Sequence, residues 1–332
     1  MYRGHRIAQM LLAKEQSDEY LLSVDRAQWY HVDHSKLASS PQMNEKWHQF
    51  YMDRETEQFL EDSFDTSNAI CLQVYYALAS AVLSMMMSKT SINGVLNRGG
   101  MFIFSTQQFH EFMRIPDDWD EYLKYMLDLG AGDGRVTSTI ANFYKHVAVT
   151  EASQVMEWRL RQRGYKVIPM NEWTKIDEPL DLVCALNLLD RHYNPMVLLN
   201  DLYRLTSRTN SLLLIAVVLP IRQYVEFHPN RKTNHAEELS VSDSRITVEG
   251  ETFEEQATSL VEKVFEPAGF ELVRWGKLPY LCEGDHAKAY YKLDDAIFLL
   301  KPNPLHQLNS TDQGDSTVSY ESEHSDKGTK EL

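Results

Sequence analysis

"LDLGAGDGRVTS", residues 127–138, decides the fold because it joins a buried strand to a helix through a glycine-rich turn. An apolar run ends at Asp128-Leu129, three glycines follow at 130, 132 and 134, and a helical pattern then begins. Glycine permits a tight turn and lets a ligand approach the bare backbone. The spacing is G-x-G-x-G directly after an acid, which differs from the G-x-G-x-x-G of dinucleotide binders. The turn therefore predicts a small nucleoside cofactor at the carboxyl end of a strand.

Residues 122–302 alternate short apolar runs with amphipathic helices, a pattern typical of an α/β fold. We predict a class I, Rossmann-like, S-adenosylmethionine-dependent methyltransferase domain, with a seven-stranded, mostly parallel sheet and helices on both faces. The predicted strands are YLKYMLDLG (122–130), HVAVTE (146–151), YKVIPM (165–170), LDLVCALNLL (180–189), SLLLIAVVL (211–219), ELVRWGKLPYLCEG (271–284) and DDAIFLLKP (294–302).

The remaining segments predict three flanking regions and one insertion. Residues 1–45 are polar and expected to be loosely ordered, 46–121 form a helical N-terminal extension with a Gly-rich loop, and 303–332 are a disordered acidic tail. Residues 221–250 are a polar insertion without periodicity. Residues 66–88 carry no charge, but Asn68, Gln73 and several serines favour a helix buried in the protein over a stable membrane span.

Composition limits the partners. The formal net charge of −15 and the lack of a cationic stripe argue against nucleic acid. Three widely spaced cysteines indicate reduced thiols, and no cluster of histidines, cysteines and acids indicates a metal site.

The first residues lack a secretory signal, which predicts a cytoplasmic protein, and we expect it to be a monomer.

A second acid supports S-adenosylmethionine as the cofactor. Glu151 ends the second predicted strand, where a carboxylate can accept both ribose hydroxyls of an adenosyl group. S-adenosylmethionine carries an ammonium and a sulfonium instead of phosphate, which suits an acidic strand end. Taken alone, Asp133 could be a turn residue and Glu151 a solvated strand end. The predicted cofactor-binding residues in these two strand ends are Asp128, Gly130, Gly132, Asp133 and Glu151.

The loop after the third strand offers further candidates. Asn171, Glu172 and Trp173 lie where this enzyme class contacts the adenine, and the Trp173 ring could pack on the purine. An ordinary loop with a tryptophan in the core explains the same residues equally well.

The fourth predicted strand ends in Asn187, and Asp190 follows three residues later. Methyltransferases acting on amino nitrogens often have an Asn or Asp at this place, followed by two prolines and an aromatic residue. Here Leu188 and Leu189 follow instead, so no aromatic clamp is present.

Several motifs together resemble methyltransferase-like protein 9, the DREV family, from about residue 46 to 302. They are SKTSINGVLNRGGMFIFS (88–105), LDLGAGDG (127–134), NEW (171–173), LNLLDR (186–191), LPYLCEGD (278–285) and YYKLDDAIFLLKP (290–302). The resemblance implies a protein-histidine methyltransferase that forms 1-methylhistidine, placing the methyl on the pros nitrogen (Nδ1). It further implies protein substrates with His-x-His motifs in which x is small.

That chemistry requires a chosen tautomer. A neutral imidazole attacks through Nδ1 only when its proton is on Nε2. A carboxylate that accepts the Nε2–H would select this tautomer and stabilise the positive charge growing on the ring. Asp190 is our catalytic candidate for this role, and Asn187 would orient the ring or the substrate backbone. The simpler alternatives are a helix N-cap for Asp190 and a satisfied strand-end amide for Asn187.

The family's C-terminal motifs suggest Tyr280 and Tyr291 as walls of the histidine pocket, although partly buried core tyrosines are as plausible. Arg98, in the Gly-rich loop, could close over the cofactor carboxylate or the peptide, or be a surface arginine. These three are the predicted substrate-binding residues.

Alternatives from other classes stay open. They are a methyltransferase for a small amine or another side chain, a cofactor-binding scaffold without catalysis, and a nicotinamide oxidoreductase, which the glycine spacing disfavours. Vertebrate-like family members begin with an apolar signal-like segment and end near the residue matching Pro302. This chain differs at both ends, so the resemblance leaves endoplasmic-reticulum or mitochondrial association open.

Overall fold

The computed structural model of the chain describes residues 2–222 and 248–306. Most of the predicted acidic tail (307–332 of 303–332) and most of the predicted 221–250 insertion lie outside these residues.

The fold is built on one eight-stranded sheet with the order β1-β7-β8-β6-β5-β2-β3-β4. Strands β2 to β6 pair in parallel, whereas β8 runs antiparallel to both β6 and β7. The strands are β1 (Met101–Phe102), β2 (Tyr125–Leu129), β3 (His146–Thr150), β4 (Lys166–Val167), β5 (Leu182–Leu186), β6 (Leu212–Leu219), β7 (Phe270–Glu283) and β8 (Tyr290–Pro302). All seven predicted strands are present, and the Rossmann-like class is confirmed. The eighth strand arises because two residues of the predicted Gly-rich loop pair with the edge of β7.

Ten α-helices lie in the described residues. They are α1 (Tyr2–Ser23), α2 (Pro41–Glu45), α3 (Arg54–Asn68), α4 (Ile70–Leu83), α5 (Lys89–Leu96), α6 (Thr106–Met113), α7 (Arg135–Ile140), α8 (Gln154–Gln162), α9 (Pro195–Thr209) and α10 (Phe253–Leu260). Helix α5 was not predicted, because its segment contains the turn-forming pair Asn93-Gly94. Ser88 caps it by accepting the Ser91 amide hydrogen, and it ends at Asn97 in the left-handed conformation.

Both faces of the sheet are covered, because alternate strand residues enter two different cores. Leu127 and Val183 pack in a core with α9 and α10, whereas Met126 and Leu182 pack in a core with α3 and α6. The purely apolar strands of the parallel part follow from this burial on both sides.

The prediction for residues 1–45 was wrong in its second half. Trp29, Tyr30, Leu37 and Met43 are buried. The indole nitrogen of Trp275 in β7 donates to the Met43 carbonyl oxygen at 2.7 Å. These apolar residues are spaced without a helical or strand period, so the sequence pattern did not reveal that they pack on the sheet.

Helix α4 is also placed differently from the prediction of a buried helix. Gln73 is its only buried residue, whereas the side chains of Ile70, Val74, Leu78 and Val82 are all more than half exposed. Among the described residues, no single helix is long and apolar enough to cross a membrane, although α3 and α4 together pass that test as a pair bent by 76°.

Candidate active site

A cavity of about 340 Å³ opens at the carboxyl ends of β2, β3 and β5. Parallel sheets commonly bind ligands at this edge. Eight of the predicted site residues line it, namely Arg98, Asp128, Gly130, Gly132, Asp133, Glu151, Asn187 and Tyr280. Their individual roles stay predictions, but the fold does bring them together from two strands, β2 and β7, and from the loops that follow β2, β3, β5 and α5.

The glycine-rich turn needs glycine at two positions for different reasons. Gly132 has φ +57, and a Cβ there would meet no protein atom within 4 Å, which leaves room for a ligand beside the backbone. Gly134 has φ +77, and a Cβ there would lie 2.8 Å from Leu160 of α8. The first glycine therefore keeps the cavity open, and the second allows α8 to pack close to the turn.

The two acids of this end are hydrogen-bonded within the protein. Asp128 is buried, and the Thr137 hydroxyl donates to its Oδ2 at 2.6 Å. Glu151 is buried as well, and its two oxygens accept the backbone N–H groups of Gly132 and Ser153, each at 2.9 Å. Burial raises the pKa of Asp128 to about 7, with a smaller contribution from the Glu151 charge. These two carboxylates fit a cofactor with a cationic amino-acid end and a ribose diol, because they can accept hydrogen bonds from both.

The loop after β4 lies differently from the adenine-contacting prediction. Asn171 and Glu172 are exposed, and Trp173 packs in the core with α9, so none of the three lines the cavity. Met170, which was not predicted, lies in the cavity wall in their place. For Trp173, the core alternative describes this structure better.

At the other end of the cavity, Asn187 follows β5 in the left-handed conformation, with φ 52. Its backbone N–H donates to the Ala216 carbonyl of β6, and its Nδ2 donates to Oδ2 of Asp295 at 2.9 Å. Asp295 is completely buried in β8, and burial raises its pKa to about 8. Sequence reasoning missed Asp295; the available signal was an acid directly before the apolar run "AIFLL" (296–300) of its own strand.

Asp190 lies in the loop before α9 and is buried behind the cavity wall instead of lining it. It is not the N-cap, because the Asn194 side chain accepts the Val197 N–H and caps α9. Burial raises the pKa of Asp190, and the neighbouring Arg191 charge lowers it in part.

Three side-chain oxygens at this end have no hydrogen-bond partner among the described residues. They belong to Asn187, Asp190 and Asp295, and each is the Oδ1 atom. Buried acceptors without a donor are costly, and they are rare in folded proteins. Of the three residues, Asn187 lines the cavity, so a ligand there could donate to its Oδ1 atom.

Two of the three predicted substrate-binding residues line the cavity, and the third does not. Tyr280 is buried in the cavity wall, where its hydroxyl contacts the Met101 sulfur. Arg98 also lines the cavity and donates from Nε to Asn93 at 3.0 Å. Tyr291 does not line the cavity; it is 44% exposed, and its hydroxyl bonds Asp285 at 3.4 Å.

An arginine that was not predicted ties the N-terminal loop to the sheet. Arg135, the first residue of α7, contacts Asp133 at 3.0 Å and Glu283 of β7 at 3.3 Å. The same guanidinium donates to Asn97 at the end of α5. Arg135 therefore holds the α5–β1 loop against the cavity, and no motif in the sequence pointed to it.

Comparison with known proteins decides the family. The family model described as DREV methyltransferase matches residues 29–302. The chain belongs to the DREV methyltransferase family. Family membership and the cavity together establish an S-adenosylmethionine-dependent methyltransferase.

Solved structures similar to this DREV chain are distant. One is an S-adenosylmethionine-dependent methyltransferase from Anabaena variabilis, 9% identical, covering 64% of this chain and 92% of the other at a TM-score of 0.41. Another is magnesium protoporphyrin IX methyltransferase from Synechocystis, 14% identical, covering 76% and 100% at 0.34. Because these TM-scores are low, the fold assignment rests on the strand order and on the family match.

Proposed function

We propose that this DREV methyltransferase methylates the pros nitrogen (Nδ1) of histidine in proteins, at His-x-His sequences with a small x. The observation that carries the proposal is the group of unpartnered buried oxygens of Asn187, Asp190 and Asp295 beside the cavity. A neutral imidazole brings one N–H donor and one lone pair, and it needs its donor held by an oxygen.

The cofactor supplies an electrophilic methyl group on its sulfonium. Asn187, Asp190 and Asp295, which we call the acceptor end, prepare the attacking nitrogen. The Asp190 carboxylate accepts the Nε2–H, so the proton stays on Nε2 and the lone pair stays on Nδ1. As the N–C bond forms and the C–S bond breaks, the ring becomes cationic. The Asp190 carboxylate stabilises this cation through its negative charge and then accepts the Nε2 proton.

Burial of Asp190 behind the cavity wall is compatible with this role only if the acceptor ring reaches its Oδ1 atom. That atom is buried and unpartnered, so an arriving N–H would satisfy it without displacing a bond within the protein. The absence of an aromatic clamp also fits, because a ring nitrogen is already fixed in the plane of its ring.

The test is mass spectrometry of a His-x-His peptide after incubation with the enzyme and isotopically labelled S-adenosylmethionine, with the ring nitrogen assigned. We expect one labelled methyl group on Nδ1. Two acceptor controls are used. One is the same peptide with its histidines replaced by glutamine, and the other is free histidine. An Asp117→Asn enzyme, altered at an exposed loop position, serves as the protein control. Methylation of Nε2, of another side chain or of free histidine in preference to the peptide would contradict the proposal.

A further inference from the structure

Asp295 is the least expected residue of the acceptor end. Its side chain has no exposed surface, and the five residues that follow it in β8 are all apolar and buried. Burying a carboxylate is unfavourable unless other groups compensate for the lost water. Within residues 2–222 and 248–306, its side chain accepts one hydrogen bond, from Asn187, so packing gives no reason for an acid at this position.

The contact between Asn187 and Asp295 crosses a whole strand. Asn187 lies at the end of β5, and its backbone bonds Ala216 of the neighbouring β6. On the other side of β6, Val218 pairs with Asp295 of β8. Strands in a sheet are about 4.8 Å apart, so the Asn187 carboxamide has to lie over β6 to reach the carboxylate.

We propose that Asp295 is a positioning residue that fixes the Asn187 carboxamide, with its nitrogen toward β8 and its oxygen toward the acceptor histidine. This inference rests on the function proposed above and adds a residue to it. Asn187 is the member of the pair that lines the cavity, and its Oδ1 is the atom left without a partner.

Fixing the amide matters because its two orientations have nearly the same shape but opposite hydrogen bonding. With the oxygen toward the acceptor, Asn187 accepts a backbone N–H of the substrate peptide and leaves the ring lone pair free. With the nitrogen toward the acceptor, Asn187 would donate to the lone pair that has to attack the methyl carbon. An ionised carboxylate permits only the first orientation, because it can accept hydrogen bonds but cannot donate them.

The charged and titratable groups around Asp295 set the pH at which this constraint acts. Asp190 and Arg191 face it from the loop after β5, Tyr280 from β7 and Asp294 from β8. The pKa of Asp295 is raised to about 8, mainly by burial and in part by the charges of Asp190 and Asp294, whereas the hydrogen bond from Asn187 and the charge of Arg191 lower it. Above this pH the carboxylate fixes the amide. Below it, the protonated form can also donate to the amide oxygen, and the orientation becomes mixed.

The kinetic experiment compares Asp295→Leu and Asp295→Asn with Asp294→Asn, the same change at the adjacent, partly exposed acid. We expect Asp295→Leu to lower kcat about tenfold to a hundredfold at unchanged cofactor Kd, because the amide loses its only acceptor. We expect Asp295→Asn to have an intermediate kcat, because its carbonyl can accept from Asn187 whereas its amide nitrogen can also donate and so does not fix one orientation. The part of the pH dependence of kcat that comes from Asp295 should be absent in this variant, because asparagine does not titrate. Asp294→Asn stays within about twofold of the wild type.

A second measurement needs no acceptor and therefore separates this inference from the proposed function. The side-chain amide resonances of Asn187, assigned by their loss in Asn187→Ala, are followed by NMR through about pH 6 to 9.5. We expect them to titrate near the Asp295 pKa in the wild type and in Asp294→Asn, and not in Asp295→Asn. Resonances that do not titrate in the wild type would overturn the inference even if the peptide is methylated. Titrating resonances with an unmodified peptide would instead overturn the histidine function and keep the contact. An Asp295→Leu enzyme with wild-type kcat would refute the positioning role.

Discussion

The two ends of the cavity differ in how their buried acids are hydrogen-bonded. At the end formed by β2 and β3, the Asp128 carboxylate accepts from Thr137, and both oxygens of Glu151 accept backbone N–H groups. At the end formed by β5 and β8, Asp190 and Asp295 each keep a buried oxygen without a partner among the described residues.

This difference teaches which end is complete before a ligand binds. The cofactor end is held by the protein's own hydrogen bonds, which pre-organise its acids for the cofactor. Under the function proposed above, an incoming N–H donor completes the acceptor end. A site for a flat amino group bearing two hydrogens would need a different arrangement from one for a ring with a single N–H.

The largest effect is expected from Asp190→Ala. Removing the carboxylate takes away tautomer selection and charge stabilisation together, so kcat falls by at least about a hundredfold. Cofactor affinity, measured by calorimetry, stays near the wild-type value because Asp190 does not line the cavity. Normal turnover in this variant would show that Asp190 has no catalytic role, and a parallel loss of cofactor affinity would erase the distinction between the two ends.

At the cofactor end, Glu151→Gln should weaken S-adenosylmethionine binding by about tenfold, because a charge-assisted acceptor is lost beside the turn. The kcat at saturating cofactor should change little. Calorimetry and saturation kinetics separate the two quantities. An unchanged Kd would contradict the assignment of Glu151 to the cofactor.

Asp128 adds a pH test of the same end. Its pKa of about 7 means that the carboxylate becomes charged as pH rises through that value. Affinity for the cationic cofactor should therefore rise from about pH 6 to 8 in the wild type and stay level in Asp128→Asn. A wild-type affinity that does not depend on pH would show that Asp128 does not pair with the cofactor's charge.

The cofactor end was predictable because its signals are local. The turn after β2 and the acid after β3 are set by glycine conformations and by strand ends, which short stretches of sequence encode. The same local logic found Asn187 and placed Asp190 outside the cap of α9. It gave no information on Asp295. The contact between Asp295 and Asn187 joins β8 to the end of β5 across β6, so it depends on the strand order.

Errors at other places have the same origin. The Trp173 side chain belongs to a core formed with α9, which a loop motif cannot reveal. Uncharged residues 66–88 indicated burial, yet α4 lies on the surface, because composition says nothing about which neighbours a helix has. Arg135 joins α7, β7 and the end of α5, which are far apart in the chain, so only the fold shows these contacts.

Stability offers a smaller effect that again concerns the acceptor end. Folded Asp295 keeps its proton up to about pH 8, whereas the unfolded chain releases it near the ordinary value of 3.8. The wild type should therefore lose stability as pH rises between these values and no further above them. Asp295→Asn removes this loss, so its Tm advantage over the wild type should grow by a few degrees from about pH 5 to 8. A constant difference in Tm would contradict the raised pKa.

The smallest effect is expected from Tyr291→Ala, at the outer margin of the acceptor end. Tyr291 pairs with Cys282 across β7 and β8, and Cys282 lies two residues from Tyr280, so Tyr291 shares the face of the sheet that carries Tyr280. Because Tyr291 is largely exposed and outside the cavity wall, it can contact only the part of a peptide that extends beyond the acceptor residue. We expect KM for the peptide to rise about threefold and kcat to stay unchanged, since such a contact is equal in the ground and transition states. Free-peptide kinetics at saturating cofactor measure both, with Tyr122→Ala, an exposed tyrosine outside the cavity wall, as control. A fall in kcat would instead indicate that Tyr291 contacts the reacting ring. The acceptor end would then include a residue that does not line the cavity.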